Sequence, residues 1–423
     1  MIRLQNIKQL LEKGFFHIFG ANVINKIIQF SSGILVVRIL TKEHFGIYSY
    51  ASNIIAFFLL FSGLGSISGV LQYGSESKNL KTRNSYFKYG IKLGLTFNLL
   101  LSFLILLYAL FGNLTIPESR NVLILMFLLP IFTLLFEMIQ IYMRASILNK
   151  NFSYLTIFNS FLLLCFSILG ALLYQVEGLV VLRYFAYFLS VLFGIYLIKD
   201  KIRSIFTANN LQSNNKKGFI KFSLVSAANN SISQLLYILD LFLIGYFIKD
   251  VEIIASYKTA TLIPFALNFI PVSIMTFIYP YFARNNKNNN WIKEKYLMLI
   301  KYLIPFNFLI SLFLILFAPF IIKFIFGIEY LDSILTFRIL SFGYFITASF
   351  RIPSGNILLM LKKVKFGLYM SIIVGLLNII LDIILVKLMG STGAALATVT
   401  IFLFSSIIST SYLLYLLKRT MIS

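Results

Sequence analysis

Twelve apolar runs, each long enough to cross a bilayer, follow one another from Phe16 to Leu417. A spanning helix needs about 20 mostly apolar residues, because hydrocarbon offers its backbone no hydrogen-bond partner. The runs fall near 16–38, 45–72, 87–111, 121–143, 152–174, 178–198, 221–247, 253–278, 297–322, 331–352, 366–388 and 392–417. Turn-forming and polar segments such as "YGSESKNLKTRN", "GNLTIPES" and "NNKNNN" separate them. Only 12% of the residues are charged, about half of what a soluble domain carries. The expected fold class is all-α, a polytopic membrane protein. No cleavable leader is expected, since the first basic segment enters a full span without a small-residue cleavage site.

An even number of spans puts both termini on one side. That side, with the loops near 73–92, 144–152, 199–221, 282–301 and 351–365, carries 27 of the 37 Lys and Arg. By the positive-inside rule it is cytoplasmic. The same bias accounts for the net charge of +23 without nucleic acid as a partner. The opposite loops are short, the longest lying around Pro117 and Glu118, and leave no room for a soluble domain. Cys165 is the single cysteine, so no intramolecular disulfide forms, and His17 and His44 are too far apart for a metal motif.

The chain divides near its middle. A polar connection, "KDKIRSIFTANNLQSNNKKGF", separates an expected six-helix bundle over 1–198 from a second over 221–423, with 199–220 as cytoplasmic linker. An offset of 209 residues lays "FGIYSYAS" on "IASYKTAT", matching Tyr48 to Tyr257 and Ala51 to Ala260. An offset of 215 lays "GLVVLRY" on "GAALATV", each opening the last span of its half. Two bundles of one topology, related by a pseudo-two-fold axis along the membrane normal, would explain both. Transporters commonly bind substrate between such repeats.

Polar residues inside spans need a reason, because a charge at the bilayer centre costs at least about 2.5–3.5 kcal/mol. In "GANVINKIIQFSSG" the first span carries Asn22, Asn25, Lys26, Gln29 and Ser32 as one helical stripe. Two readings stand: an interhelical hydrogen-bond seam, or the wall of a water-filled cavity in which Lys26 meets an anion. The seventh span repeats the pattern with Ser226, Asn229, Asn230, Ser233, Tyr237 and Asp240. Arg183, Lys258 and Arg338 lie five to eight residues into spans that enter from outside. They either snorkel to the interface or line a cationic outer vestibule. Asp240 and Lys258, at similar depth on one hairpin, are expected to pair. Tyr48 and Tyr257 are candidate platforms for sugar rings. Glu137, Asp240 and Asp382 are candidate carriers of a coupling proton or sodium ion. Pro130, Pro264, Pro271 and Pro305 are expected to kink their helices.

Several stretches together resemble a family. They are "RILTKEHFGIYSYASNIIAFFLLFSGLGSISGVLQYG" in spans one and two, "LYILDLFLIGYFIKDVEIIASYKTA" and "IYPYFAR" in seven and eight, and "LNIILDIILVKLMGSTGAALATV" in eleven and twelve. The chain resembles bacterial polysaccharide flippases, the O-antigen and capsule repeat-unit translocases of the multidrug/oligosaccharidyl-lipid/polysaccharide exporter superfamily. The resemblance implies twelve helices in two bundles around a V-shaped cationic cavity. It implies transfer of an undecaprenyl-pyrophosphate-linked oligosaccharide from the cytoplasmic to the outer leaflet of the bacterial inner membrane. A polysaccharide polymerase and chain-length proteins would be its working partners, membrane lipids its surroundings, and no cofactor is implied beyond a coupling ion. Lys26, Asn22, Asn25, Gln29, Arg183, Lys258, Arg338, Asn230, Tyr48 and Tyr257 would then line the path.

Three rival classes share some of these features. A drug or cation antiporter of the same superfamily would share the twelve helices but favour buried acids, whereas four basic and three acidic residues lie in these spans. A murein-precursor flippase is expected to add two helices, for which this length leaves little room. An enzyme, such as a membrane polysaccharide polymerase or ligase, would need a large outer loop bearing catalytic groups. The short loops here argue against one.

Overall fold

A computed structural model describes residues 15–77, 79–285, 288–361 and 363–419. Sixteen α-helices follow one another, with no strand among the described residues. In the first half they are α1 (Phe15–Ile39), α2 (Lys42–Leu59), α3 (Ser66–Glu76), α4 (Leu80–Phe111), α5 (Ser119–Met126), α6 (Leu129–Ala145), α7 (Asn149–Leu197) and α8 (Lys199–Phe206). Then come α9 (Ser213–Ile248), α10 (Val251–Leu267), α11 (Phe269–Arg284), α12 (Asn289–Leu316), α13 (Ala318–Ile321), α14 (Ile334–Ile346), α15 (Ile352–Met360) and α16 (Val364–Arg419). Local chemistry fixes several starts. Thr41 accepts from the His44 amide to open α2, Asn79 from Lys81 to open α4, and Asp250 from Glu252 and Ile253 to open α10.

By length and composition, seven described helical stretches could cross a membrane, or eight if the bent pair α5–α6 (41°) is one span. Two of the seven are double. At 1.5 Å per residue α7 would be about 74 Å long, more than twice the hydrocarbon thickness. It reverses at Gln175 (φ 49°, ψ −123°), and α16 reverses at Gly390 (φ 62°, ψ −136°). These positions are 215 residues apart, the offset found in the sequence. Each hairpin closes on a glycine: a Cβ on Gly178 would overlap the Gly170 carbonyl, and one on Gly393 the Leu385 carbonyl. With these reversals, the bent pair, α1 and α9, the twelve expected spans are accounted for.

The chain forms two compact units, Met1–Gln234 and Leu235–Ser423, and the division falls inside α9. In the first unit α1 and α6 pack along α7, while α3 packs on α4 and α6. Leu123, Met126, Leu134, Met138, Tyr142 and Met143 are fully buried there. In the second unit Met275, Phe282, Ile292, Tyr296, Ile357 and Leu413 form one apolar core, with Phe366 stacked on Tyr412 at 4.2 Å. Exposed Phe103, Phe111, Leu309, Phe313 and Phe320 supply a lipid-facing surface. Because lipid is as apolar as leucine, helix association depends on close packing and interhelical hydrogen bonds.

The repeat is clearest in two asparagines. Asn98 of α4 and Asn307 of α12 are both fully buried and stand 209 residues apart, each followed four positions later by a buried serine, Ser102 and Ser311. Asn98 donates to the Pro130 carbonyl (2.6 Å) and Ser62 Oγ (3.0 Å) and accepts from the Gly63 amide (2.6 Å). Asn307 donates to Ser349 Oγ (3.3 Å) and accepts from the Tyr344 hydroxyl (2.9 Å).

The second span is not the continuous helix expected. It breaks at Ser62–Gly65, where Gly63 (φ 59°), Leu64 (φ 48°) and Gly65 (φ 70°) are consecutively left-handed. Glycine makes such a bend inexpensive at two of the three positions, and Asn98 ties it down. The prolines differ in effect. Pro130 opens α6 beside the 41° bend, and Pro264 and Pro305 lie within α10 and α12. Pro271 falls in α11, just past the break at Asn268.

Candidate functional site

The first unit carries a polar face built from α1, α6 and α7. Ser160 donates to Asn25 Oδ1, joining α7 to α1, and Gln140 donates to Thr156 Oγ1 at 2.8 Å, joining α6 to α7. Lys26 is exposed, and its ammonium has one long contact, 3.5 Å, to Gln29 Oε1. Glu137 is exposed on α6, with no hydrogen bond or ion pair among the described residues. The Asn22 side chain lies outside the described residues. So Asn25 serves a seam, and Lys26 stands exposed beside it.

Arg183, on the second arm of α7, donates to the Tyr48 hydroxyl at 3.3 Å and lies 6.0 Å from the Tyr187 ring centroid. Tyr48 therefore holds an arginine. Arg338 donates Nε to the Ile315 carbonyl (3.1 Å) in the last turn of α12, where helix polarity favours a cation. Lys258 is exposed on α10, and its ammonium has no partner among the described residues. Asn230 is exposed on α9, while the side chains of Asn229, Ser233 and Tyr237 lie outside the description.

The second unit holds an acid pair. Asp240 of α9 and Asp382 of α16 are 3% and 0% exposed. Asp240 Oδ2 accepts from the Tyr257 hydroxyl and from Thr398 Oγ1 (2.5 Å), and Asn378 donates to Asp382 Oδ2 at 2.9 Å. The two carboxyls interact with each other, and Oδ1 of each has no hydrogen-bond partner among the described residues. The expected Asp240–Lys258 pair does not form. Successive residues on a helix point in different directions, so Tyr257 meets Asp240 and Lys258 faces elsewhere. Tyr257, 2% exposed, serves the acid rather than a sugar ring. Two buried carboxyls side by side call for a proton or a cation to reduce their charge.

The sequence alone singles out both acids. It misses Thr398, which closes the quoted "GAALAT" turn, and Ser160, Tyr187 and Asn98. Hydroxyls are the least conspicuous polar groups in an apolar run, and their partners here lie on other helices.

The family described as "Polysaccharide biosynthesis protein" matches residues 35–335. No curated protein matches the chain. Among solved structures, a multidrug resistance MATE family transporter of the MOP superfamily, in an inward-facing conformation, is similar with a TM-score of 0.75 at 14% identity, over 93% of this chain and 95% of its own. The lipid II flippase MurJ, in an inward closed conformation, is similar with a TM-score of 0.72 at 19% identity, over 95% of this chain and 87% of its own. MATE in complex with MaL6 gives 0.64 at 13% identity, over 98% and 97%. At these identities the likeness establishes the fold.

Proposed function

The chain belongs to the polysaccharide biosynthesis protein family, and from that premise we propose that it is a flippase for undecaprenyl-pyrophosphate-linked oligosaccharide repeat units. It would move them from the cytoplasmic to the outer leaflet of the bacterial inner membrane by alternating access, for O-antigen or capsule assembly. The fold supports this through its likeness to a lipid II flippase and to multidrug transporters.

One observation carries the choice of an anionic cargo. Lys26, Arg183, Lys258 and Arg338 all lie in spans, and none has a carboxylate partner among the described residues. Their partners are an amide, a phenol and a carbonyl, or none, so their charge is left uncompensated. A pyrophosphate supplies compensation, worth on the order of 4 kcal/mol for a unit pair 4 Å apart at an effective dielectric near 20. Neighbouring Asn, Gln and Ser side chains suit sugar hydroxyls. A cation antiporter would have to carry its cargo past these bases, which disfavours that second reading.

We also propose that the Asp240–Asp382 pair carries the coupling proton or sodium ion. Glu137 stays a candidate of the same kind in the first unit, because it lies within a span with no hydrogen bond or ion pair among the described residues. A polysaccharide polymerase and chain-length proteins would take up the product, and no catalytic step is assigned to the chain itself.

The deciding experiment follows the lipid-linked intermediate by leaflet in cells lacking the protein. The proposal expects accumulation on the cytoplasmic side, relieved by the wild type and by Lys26→Arg but not by Lys26→Ala at equal expression. Complete repeat units stalled on the outer leaflet would overturn it in favour of an outer-face assembly role.

A further inference from the structure

We propose that the first half of α9 is a latch, seated on the broken second span and lifted from it once in each transport cycle. The inference rests on the reading of the chain as an alternating-access transporter. The seat is the surface created by the break at Ser62–Gly65. With no side chains on Gly65 and Gly69, α9 approaches backbone to backbone. A Cβ on Gly65 would overlap the Ser223 carbonyl, and one on Gly69 would overlap Ser223 Oγ and press on the Phe219 ring. Ser231 Oγ donates to the Leu60 carbonyl at 2.7 Å, satisfying a group freed where α2 ends. Above the glycines, Phe219 is fully buried within an aromatic collar, with ring centroids 5.9 Å from Tyr73, 6.1 Å from Tyr86 and 5.5 Å from Tyr89.

Three features make this a latch rather than a permanent weld. The seat keeps its shape without α9, because Asn98 ties Ser62, Gly63 and Pro130 from behind. The described contact contains no ion pair, and its hydroxyl link is exchangeable, since Ser231 also donates to the Ala227 carbonyl of its own helix at 2.8 Å. Ser223 Oγ is buried in the closed seat with no hydrogen-bond partner among the described residues, a cost that hydration on opening removes. Moreover, α9 carries the chain from the first compact unit into the second. Lifting its first half therefore changes the conformation of the one helix that also bears Asp240.

The test uses the full chain with Cys165→Ser, Tyr73→Cys and Phe222→Cys; the two aromatic rings replaced lie 5.9 Å apart. A short, reducible thiol–thiol crosslinker is added, and surface-polysaccharide assembly is measured before crosslinking, after it, and after reduction. The expected result is loss on crosslinking and recovery on reduction. Full assembly by protein shown to be crosslinked would overturn the latch. If the uncrosslinked variant and the wild type both fail to support assembly, the transport reading fails. Labelling then decides the latch: Ser223→Cys, buried here, should react with a small hydrophilic thiol reagent in native membranes if the seat opens, and its complete protection would overturn the proposal.

Discussion

Asp240 and Asp382 face each other across two helices of the second unit, each with one oxygen that no other group satisfies. Asp382→Asn preserves shape while removing one of the two ionisable groups. It is expected to abolish any dependence of flipping on a proton or sodium gradient without lowering the thermal midpoint. Transport in the presence and absence of each ionophore, beside a melting curve in detergent, checks both parts. A variant that keeps full gradient dependence would remove the pair from coupling.

Tyr257→Phe deletes one of two hydroxyl donors to Asp240 Oδ2 and leaves Thr398 as the other. Loss of a buried partner costs about 1–3 kcal/mol, so a clear fall in thermal midpoint is expected. Tyr48→Phe should cost less, because its 3.3 Å contact is longer and Arg183 keeps its position beside Tyr187.

Asn98→Ala and Asn307→Ala should differ although the residues are repeat equivalents. Asn98 satisfies two backbone groups, the Gly63 amide and the Pro130 carbonyl, whereas the described bonds of Asn307 go to two hydroxyls that can rotate to other partners. The Asn98 variant is expected to lose about 2–3 kcal/mol or more and the Asn307 variant less. Chemical unfolding in detergent would rank them.

Gln175 holds a backbone conformation that the equivalent position, Gly390, fills with glycine. Strain of this kind costs on the order of 1–3 kcal/mol. Gln175→Gly should therefore raise the midpoint and Gly390→Ala should lower it, a sign difference that one pair of melting curves resolves.

Arg183→Lys retains charge but cannot keep both the Tyr48 hydrogen bond and the guanidinium contact with the Tyr187 ring. Partial flipping is expected from Arg183→Lys and none from Arg183→Gln. Equal activity in both would assign Arg183 to packing alone.

The apolar runs expressed the number of spans, and the oily sequence marked Asp240 and Asp382 because a carboxyl there is conspicuous. The break in the second span was harder to see. "SGLGS" is weak punctuation in an apolar run, and the bend depends on Asn98, more than 30 residues away. The repeat of Asn98 and Ser102 in Asn307 and Ser311 is present in the sequence, but it becomes meaningful only when both asparagines are seen buried. Depth along a helix does not fix direction around it, which is why Lys258, level with Asp240 in the sequence, faces away from it.

The hairpin of α16 has a consequence for biosynthesis. Its first arm brings Asn378 and Asp382, its second brings Thr398, and its two backbones touch at Leu385 and Gly393. Asp240 is made well over a hundred residues earlier and has most of its partners only after this last hairpin emerges from the ribosome and inserts. Until then Asp240 has only the Tyr257 hydroxyl of its two hydroxyl donors, so the polar pairing of the second unit is completed only once this hairpin is in place.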